Sequence, residues 1–298
     1  MANPFNLDDT DAYQRWRERK LAHAITAPAE LIVDIADPSA LSAAEHAALV
    51  SRIRRSNMAL YTTRAGMDEH VLQRLGAQFG LQRLDANWLA DEQGITRITV
   101  CNDDGQRQAY IPYTDRAIKW HTDGYYNPPE RQIRGMILHC VQPAAQGGEN
   151  RLLDHEIAYL MLRDANIDFV RALSAPDAMT IPARTDEHGV ARPAQTGPVF
   201  SVDDHGNLHM RYTARTRSIE WKQDEPTRAA VAQLERLLDS GLPHIFRTRL
   251  EPGMGLLCNN VLHDRAAFND NTNHPRLLYR ARYLDRLSFE QPQPQDSP

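Results

Sequence analysis

Hydrophobic residues recur at helical spacing in five segments of the chain. Ser42-Ala-Ala-Glu45 has the form of a capping box, and the helix that it opens carries Leu49 and Ile53 on its apolar face. A second helix is predicted at residues 67–79 and ends at Gly80. A third is predicted at residues 154–162, with Asp154 as its cap. The last two helices are predicted at 167–173 and from Pro226 to Leu238.

Short runs rich in β-branched and aromatic residues predict nine strands, at residues 31–35, 58–62, 95–100, 134–141, 199–202, 208–212, 244–250, 255–258 and 276–284. Because these strands do not alternate regularly with helices, a doubly wound parallel sheet fits poorly. A mainly β sandwich or jelly roll with flanking helices fits better. Two long polar stretches, 102–119 and 184–198, are predicted to be loops, and loops of this length are often mobile or functional.

The chain has no fixed-period repeat and no interior linker, so we expect a single domain over residues 1–287. Residues 288–298 form a polar, Pro- and Gln-rich tail that is predicted to be disordered because it offers nothing to pack.

The composition narrows the class of protein. The 298 residues are 42% hydrophobic and 24% charged, which is typical of a water-soluble globular protein. With 34 basic and 39 acidic residues, the net charge of -5 lacks the basic field of a nucleic-acid-binding protein. No apolar run approaches the roughly 18 residues that span a membrane. The first 20 residues lack the apolar segment of a signal peptide, and the three cysteines are widely spaced, so a reducing, cytoplasmic location and a small-molecule partner are expected.

The most informative motif is His121-Thr-Asp123. On an extended backbone these two side chains point to the same face and can supply two ligands to a metal ion. His263, which follows the strand at 255–258 and an Asn259-Asn260 turn, is the candidate third ligand. Two histidines and one carboxylate form the facial triad of non-haem Fe(II) oxygenases. The same triad could also hold Zn²⁺ in a hydrolase, or be incidental in a non-catalytic jelly-roll binding protein.

The strand at 276–284 alternates between basic and apolar positions. Arg276, Leu278, Arg280 and Arg282 share one face, and Leu277, Tyr279, Ala281 and Tyr283 share the other. The arginine face points either to solvent or into a cavity. Exposure to solvent is a simpler expectation for Arg282 than for Arg276. Guanidinium groups that point inward need anionic partners, for which a dicarboxylate is suitable.

These elements, in this order, resemble the taurine dioxygenase/TfdA-like family of Fe(II)- and 2-oxoglutarate-dependent oxygenases over residues 31–285. The family pattern is HxD, a Gly-Gly turn, a distal His, and two arginines four residues apart. It is matched here by His121-Thr-Asp123, Gly147-Gly-Glu-Asn150, His263, Arg276 and Arg280. The resemblance implies a double-stranded β-helix of the jelly-roll, cupin-like type.

The resemblance also implies residue roles. His121, Asp123 and His263 would bind Fe(II), and Arg276 would bind the distal carboxylate of 2-oxoglutarate. Arg280 would bind the other end of that co-substrate or an acidic group of the prime substrate. Asn150 stands where the family usually has Thr and would contact the co-substrate through its amide.

The implied reaction uses O2 and 2-oxoglutarate, oxidises a C–H bond of a small, possibly acidic metabolite, and releases succinate and CO2. The carboxylate of Asp123 favours hydroxylation or desaturation, since halogenating relatives lack it. Tyr125, Tyr126 and Asn127 are predicted substrate contacts, and loops 102–119 and 184–198 are candidate lids. Relatives are often dimers or tetramers, so a homo-oligomer is expected.

Overall fold

The computed structural model describes residues 3–85, 94–100, 111–186, 189–270 and 273–289. In these ranges the chain forms six α-helices: α1 Thr10–Ala22, α2 Ala43–Ser56, α3 Glu69–Ala77, α4 His155–Ala165, α5 Ile167–Leu173 and α6 Glu225–Leu238. The strands of the first half are β1 Ile32–Asp34, β2 Met58–Thr62, β3 Ile95–Ile98, β4 Ile118–His121, β5 Gly135–Gln142, β6 Gln146–Gly147, β7 Asn150–Leu153, β8 Met179–Ile181, β9 Arg184–Asp186 and β10 Gly189–Arg192. The strands of the second half are β11 Gln195–Gly197, β12 Phe200–Val202, β13 Leu208–Met210, β14 Glu220–Trp221, β15 Phe246–Thr248, β16 Met254–Cys258, β17 Leu262–Arg265, β18 Phe268–Asn269 and β19 Leu277–Tyr283.

The helix boundaries follow the caps. Ser42 forms the predicted capping box with Glu45, and Asp154 caps α4 by accepting a hydrogen bond from the backbone of Glu156. Five of the six helices were predicted. The remaining one, α1, is largely polar, and it is attached to α4 through the buried Lys20, whose Nζ lies 2.6 Å from carboxylate oxygens of both Asp154 and Glu156.

Two large sheets form the centre of the molecule. The first has the strand order β1-β2-β16-β5-β19-β3, and the second has the order β15-β7-β17-β4. Every pair in them is antiparallel except β1 with β2. The predicted mainly β architecture with flanking helices is therefore confirmed.

Side-chain alternation along the strands separates the apolar layers. On β16, Leu256 and Cys258 pack with Leu152 of the four-stranded sheet, whereas Leu257 packs toward α2 and α3. The outer face of the four-stranded sheet packs against α4, α5 and α6. The space between the two sheets is therefore where inward-pointing polar residues of β4, β17 and β19 can meet.

Both predicted loops need correction. The stretch 184–198 contains three strands: β9 pairs with β10, and β11 pairs with β8, because the β-branched Thr and Val of the stretch favour strands despite its polar composition. The end of the stretch 102–119 belongs to β4, and residues 102–110 lie outside the described ranges. No helix of the described residues has both the length and the apolar character needed to cross a membrane.

Candidate metal centre

The two sequence-predicted histidines lie side by side in the four-stranded sheet. His121 ends β4 and is the direct register partner of His263 on β17, and their ring centroids are 4.2 Å apart. Asp123 follows two residues after His121, and its Oδ1 is 3.6 Å from His121 Nε2 and 4.0 Å from His263 Nε2. One ligand atom from each residue lies within 4.8 Å of the others, which is a suitable arrangement for one metal ion.

Backbone carbonyls orient both imidazoles in the same way. His121 Nδ1 lies 2.9 Å from the carbonyl oxygen of Lys119, and His263 Nδ1 lies 2.9 Å from that of Val261. Because a carbonyl oxygen only accepts, each Nδ1 carries a proton, and each Nε2 is the ring nitrogen that faces Asp123. Burial lowers the pKa of His263 to about 4, so this imidazole is neutral at physiological pH.

Asp123 is held by Asn260, a residue that the sequence analysis placed only in a turn. The Asp123 backbone N–H donates to Asn260 Oδ1 at 2.8 Å, and Asn260 Nδ2 donates to the Asp123 carbonyl at 2.9 Å and to the Ile133 carbonyl at 2.6 Å. Asn260 has a φ of 49°, in the left-handed region that Asn tolerates better than most residues. The signal available in the sequence was a pair of asparagines between an apolar strand and a candidate ligand.

The carboxylate of Asp123 is buried and ionised. Burial alone would raise its pKa, but the positive charges of the Arg280 guanidinium, whose Nη1 is 3.3 Å from Oδ2, and of Arg282 hold the pKa well below its usual range. Among the residues that the structure describes, Oδ2 has no hydrogen-bond partner. A buried anionic oxygen beside the Nε2 atoms of two imidazoles fits a divalent cation of the Fe(II) or Zn²⁺ type.

The arginine face of β19 points inward. Arg280 reaches Asp123, and Arg282 donates to the Tyr126 hydroxyl at 2.9 Å and to Asp85 Oδ2 at 2.7 Å. The solvent placement considered for Arg282 is therefore wrong, because Asp85, distant in sequence, supplies a buried counter-charge.

A cavity of about 340 Å³ opens beside the triad. It is lined by five of the predicted site residues, His121, Asp123, Tyr125, Tyr126 and Arg280. The remaining lining residues are Ile111, Pro112, Tyr113, Ala117, Ile118, Lys119, Gly124, Thr213, Arg215, Thr216, Arg217 and Arg282. Sequence reasoning singled out none of the cations Lys119, Arg215 and Arg217, although Lys119 has the same strand parity as His121.

The other predicted contacts lie elsewhere. Arg276 and Asn150 line a separate small cavity of about 10 Å³ together with Gly147 and Gly148, and the Asn150 amide donates to the Asp264 carbonyl at 2.6 Å. Both glycines have a φ of 77°, so this tight turn requires Gly. Asn127 lines neither cavity, since its amide donates to the Arg131 carbonyl at 2.8 Å within a turn.

Comparison with known proteins gives a consistent result. The family model described as "Taurine catabolism dioxygenase TauD, TfdA family" matches residues 17–282. A uridine-5'-phosphate dioxygenase from Amycolatopsis sp is 34% identical over 171 residues, which are 56% of this chain and 60% of that protein. A uridine-5'-phosphate dioxygenase from Streptomyces sp is 31% identical over 216 residues, which are 64% of this chain and 69% of that protein. The match thus spans less than two thirds of the Amycolatopsis protein.

Two solved structures share the fold at low sequence identity. Asparagine oxygenase in complex with Fe(II), 2S,3S-3-hydroxyasparagine and succinate has a TM-score of 0.58 and 16% identity, covering 95% of this chain and 86% of that one. The non-haem iron oxygenase OrfP in complex with Fe, succinate and (3S)-hydroxy-L-Arg has a TM-score of 0.61 and 14% identity, covering 90% of each chain.

Proposed function

Because the chain belongs to the taurine catabolism dioxygenase TauD/TfdA family, we propose that it is an Fe(II)- and 2-oxoglutarate-dependent dioxygenase acting on a small acidic metabolite. It would oxidise an unactivated C–H bond, by hydroxylation or desaturation, and release succinate and CO2. The observation that carries this proposal is the convergence of His121, Asp123 and His263 beside a cavity large enough for a small ligand.

His121, Asp123 and His263 would hold Fe(II) through two Nε2 atoms and one carboxylate. Three protein ligands leave positions for 2-oxoglutarate and O2, and the bound iron supplies the oxidising chemistry. The protein supplies orientation: the Lys119 and Val261 carbonyls fix the imidazoles, and Asn260 fixes the backbone of Asp123.

Arg276 is the proposed partner of the distal carboxylate of 2-oxoglutarate. Its side chain is buried next to Gly148 and Asn150, and its guanidinium lies over the Phe268 ring at 5.0 Å. Burial lowers the pKa of this guanidinium to about 10, which leaves it charged at neutral pH. Because the cavity beside it is about 10 Å³, the surrounding side chains must open to admit the co-substrate.

Arg280 has two candidate ligands, the co-substrate and the prime substrate. It faces the triad cavity and the Asp123 carboxylate, so it can contact either the co-substrate or an acidic group of the prime substrate. Tyr125 and Tyr126, whose rings meet edge to face at 5.2 Å, are the proposed aromatic contacts for that substrate. Asn127 stays a predicted substrate contact. Residues 111–113, which belong to the candidate lid 102–119, line the triad cavity.

The two curated relatives act on uridine 5'-phosphate, so we propose a nucleoside monophosphate as the first substrate class to test. We further propose that the two large sheets form a double-stranded β-helix within one domain over residues 1–287. The cytoplasmic location and a homo-oligomeric state stay predictions.

The test combines a spectrum with a turnover assay. Anaerobic addition of Fe(II) and 2-oxoglutarate is expected to produce a weak visible metal-to-ligand absorption band, and O2 with a panel of nucleotides, amino acids and sulfonates is expected to release succinate with one class. His121→Ala should lose bound iron, whereas His205→Ala, at an exposed position, should retain it. A wild-type protein without the band and without succinate release would contradict the proposal, and hydrolysis supported by Zn²⁺ would replace it.

A further inference from the structure

Lys119 and Arg215 are both exposed and both line the triad cavity. His121 pairs with Thr213 in an antiparallel bridge, Ala214 N–H donates to the Trp120 carbonyl at 2.8 Å, and Thr122 N–H donates to the Tyr212 carbonyl at 3.0 Å. Continuing this register by two residues places Arg215 opposite Lys119. Lys119 has the same parity as His121, so its side chain faces the cavity and not the Trp120 side of β4.

Lys119 and Arg215 are both cations. Like charges directly opposite each other on paired strands are destabilising. Arg217, in a short 3-10 turn at Thr216–Ser218, adds a third cation to the same lining. Within the described ranges, no carboxylate forms an ion pair with any of the three, in contrast to Arg280 and Arg282, which are paired with Asp123 and Asp85.

The charge of the cavity is opposite to that of the whole chain. Its described lining contains five cationic side chains and one carboxylate, that of Asp123, whereas the chain has a net charge of -5. Asp123 is already engaged with Arg280 at the buried end. Lys119, Arg215 and Arg217 are exposed and form no ion pair with a carboxylate of the described residues, so an anion that enters the cavity would meet three available cationic donors.

We propose that Lys119, Arg215 and Arg217 form the binding site for a phosphate monoester group of the substrate; this rests on the function proposed above. A phosphate monoester carries about -1.5 to -2 charges and three acceptor oxygens, which matches three separate cations. A carboxylate carries one charge and is saturated by a single arginine fork. With the phosphate at the exposed end, the rest of the substrate extends past Tyr125 and Tyr126 toward His121 and Asp123.

The test compares a phosphorylated and an unphosphorylated probe. Dissociation constants of UMP and uridine are measured by calorimetry on the full chain under anaerobic conditions with Fe(II) and 2-oxoglutarate present. Arg215→Gln and Lys119→Gln are each expected to weaken UMP binding about tenfold or more, since each removes a charged hydrogen-bond donor to the phosphate. Uridine binding should stay unchanged. Arg228→Gln, at an exposed position of α6, removes the same charge away from the cavity and should change neither constant.

The outcomes separate this site from the proposed function. Equal UMP affinity in wild type, Arg215→Gln and Lys119→Gln would overturn the site, as would equal weakening of UMP and uridine. A wild-type protein that binds neither UMP, ribose 5-phosphate nor inorganic phosphate would also overturn it. If the absorption band of iron with 2-oxoglutarate is missing, the same titrations are done on the metal-free chain. Phosphate-dependent binding that needs Lys119 and Arg215 would then support the phosphate site, although the oxygenase function would have failed.

Discussion

Asn260 positions a metal ligand without itself supplying a ligand atom. Its amide makes three hydrogen bonds, to the N–H and carbonyl of Asp123 and to the carbonyl of Ile133. The neighbouring Asn259 donates to Asn57, which in turn donates to Asp154. The turn that precedes His263 is thereby anchored to the segment that carries Asp123.

Removing the Asn260 side chain should loosen the metal site. Asn260→Gly permits the left-handed backbone while deleting the amide, so it isolates the loss of the three hydrogen bonds. We expect a loss of about 10–100-fold in Fe(II) or Co(II) affinity, the range typical of residues that orient metal ligands. A Co(II) titration followed by visible absorption measures this. Asn260→Ala should be worse, because it adds backbone strain; wild-type affinity in both variants would contradict the role.

At the scale of elements, the two faces of β19 lie in different environments. Tyr279 and Tyr283 pack with the α2 and α3 layer, while Arg280 and Arg282 face the cavity between the sheets. A register shift between Leu277 and Leu278 lies next to Arg276. Arg276 and Leu278 line the small cavity, whereas Arg280 and Arg282 line the triad cavity farther along the same strand.

Arg276→Gln is expected to act on the co-substrate. Loss of the charged hydrogen bonds to the distal carboxylate should raise the KM for 2-oxoglutarate about tenfold or more, with a smaller effect on the KM for the prime substrate. Succinate release at varied 2-oxoglutarate concentration measures both constants. Arg97→Gln is the matched control, because Arg97 lies over Tyr279 on the outer face of the same sheet. An unchanged KM for 2-oxoglutarate in Arg276→Gln would assign that carboxylate to another residue.

Gly255 in β16 permits a contact between its two neighbouring strands. It is the register partner of both Tyr61 and His139, and the Tyr61 hydroxyl lies 3.1 Å from His139 Nδ1. A Cβ at Gly255 would overlap the Tyr61 ring. The absence of a side chain therefore lets Tyr61 cross the middle strand.

Gly255→Ala should destabilise the protein. Overpacking in a core costs about 1–3 kcal/mol, and the fully buried Tyr61 has little room to move. Urea denaturation measures the free energy of unfolding. Gly241→Ala makes the same change where no atom lies within 4 Å of the added Cβ and should be close to neutral. Equal stability of the two variants would show that Tyr61 can relax.

At the scale of the whole molecule, buried neutral histidines couple stability to pH. Burial lowers the pKa of His139 to about 4, and burial together with His155 and nearby arginines lowers that of His209 to about 3. Both start from a usual value of 6.5, so the unfolded chain takes up protons before the folded one does. Their contribution to stability is complete above about pH 6.5 and decreases as the pH falls toward the folded values.

Between pH 7 and pH 5 the free energy of unfolding should therefore fall, by up to about 1.4 kcal/mol per pH unit for each of these histidines below pH 6.5. His139→Gln and His209→Gln should each flatten this dependence, whereas His205→Gln, at an exposed position, should leave it unchanged. Urea denaturation at several pH values measures the slope. An identical slope in wild type and in the two buried-site variants would refute the assignment.

Much of the local organisation could be read from the sequence because it depends on near neighbours. The Ser42 and Asp154 caps act over two or three residues, and nine strands were found by composition and alternation. Composition and alternation did not predict strands such as β4, β7 and β17, because these strands are short and contain polar site residues. The family pattern likewise identifies His121, Asp123 and His263 from the sequence alone.

The tertiary structure alone decided which side chains meet, because those contacts join distant segments. Arg282 is buried since Asp85 pairs with it, and Asp123 is fixed since Asn260 reaches it. Lys119 and Arg215 come to line one cavity because β4 pairs with the segment after β13. The sequence by itself determined the ligand types, the caps and nine of the strands. Only strand register determined which charges share a cavity, since burial and counter-charges are properties of the assembled sheets.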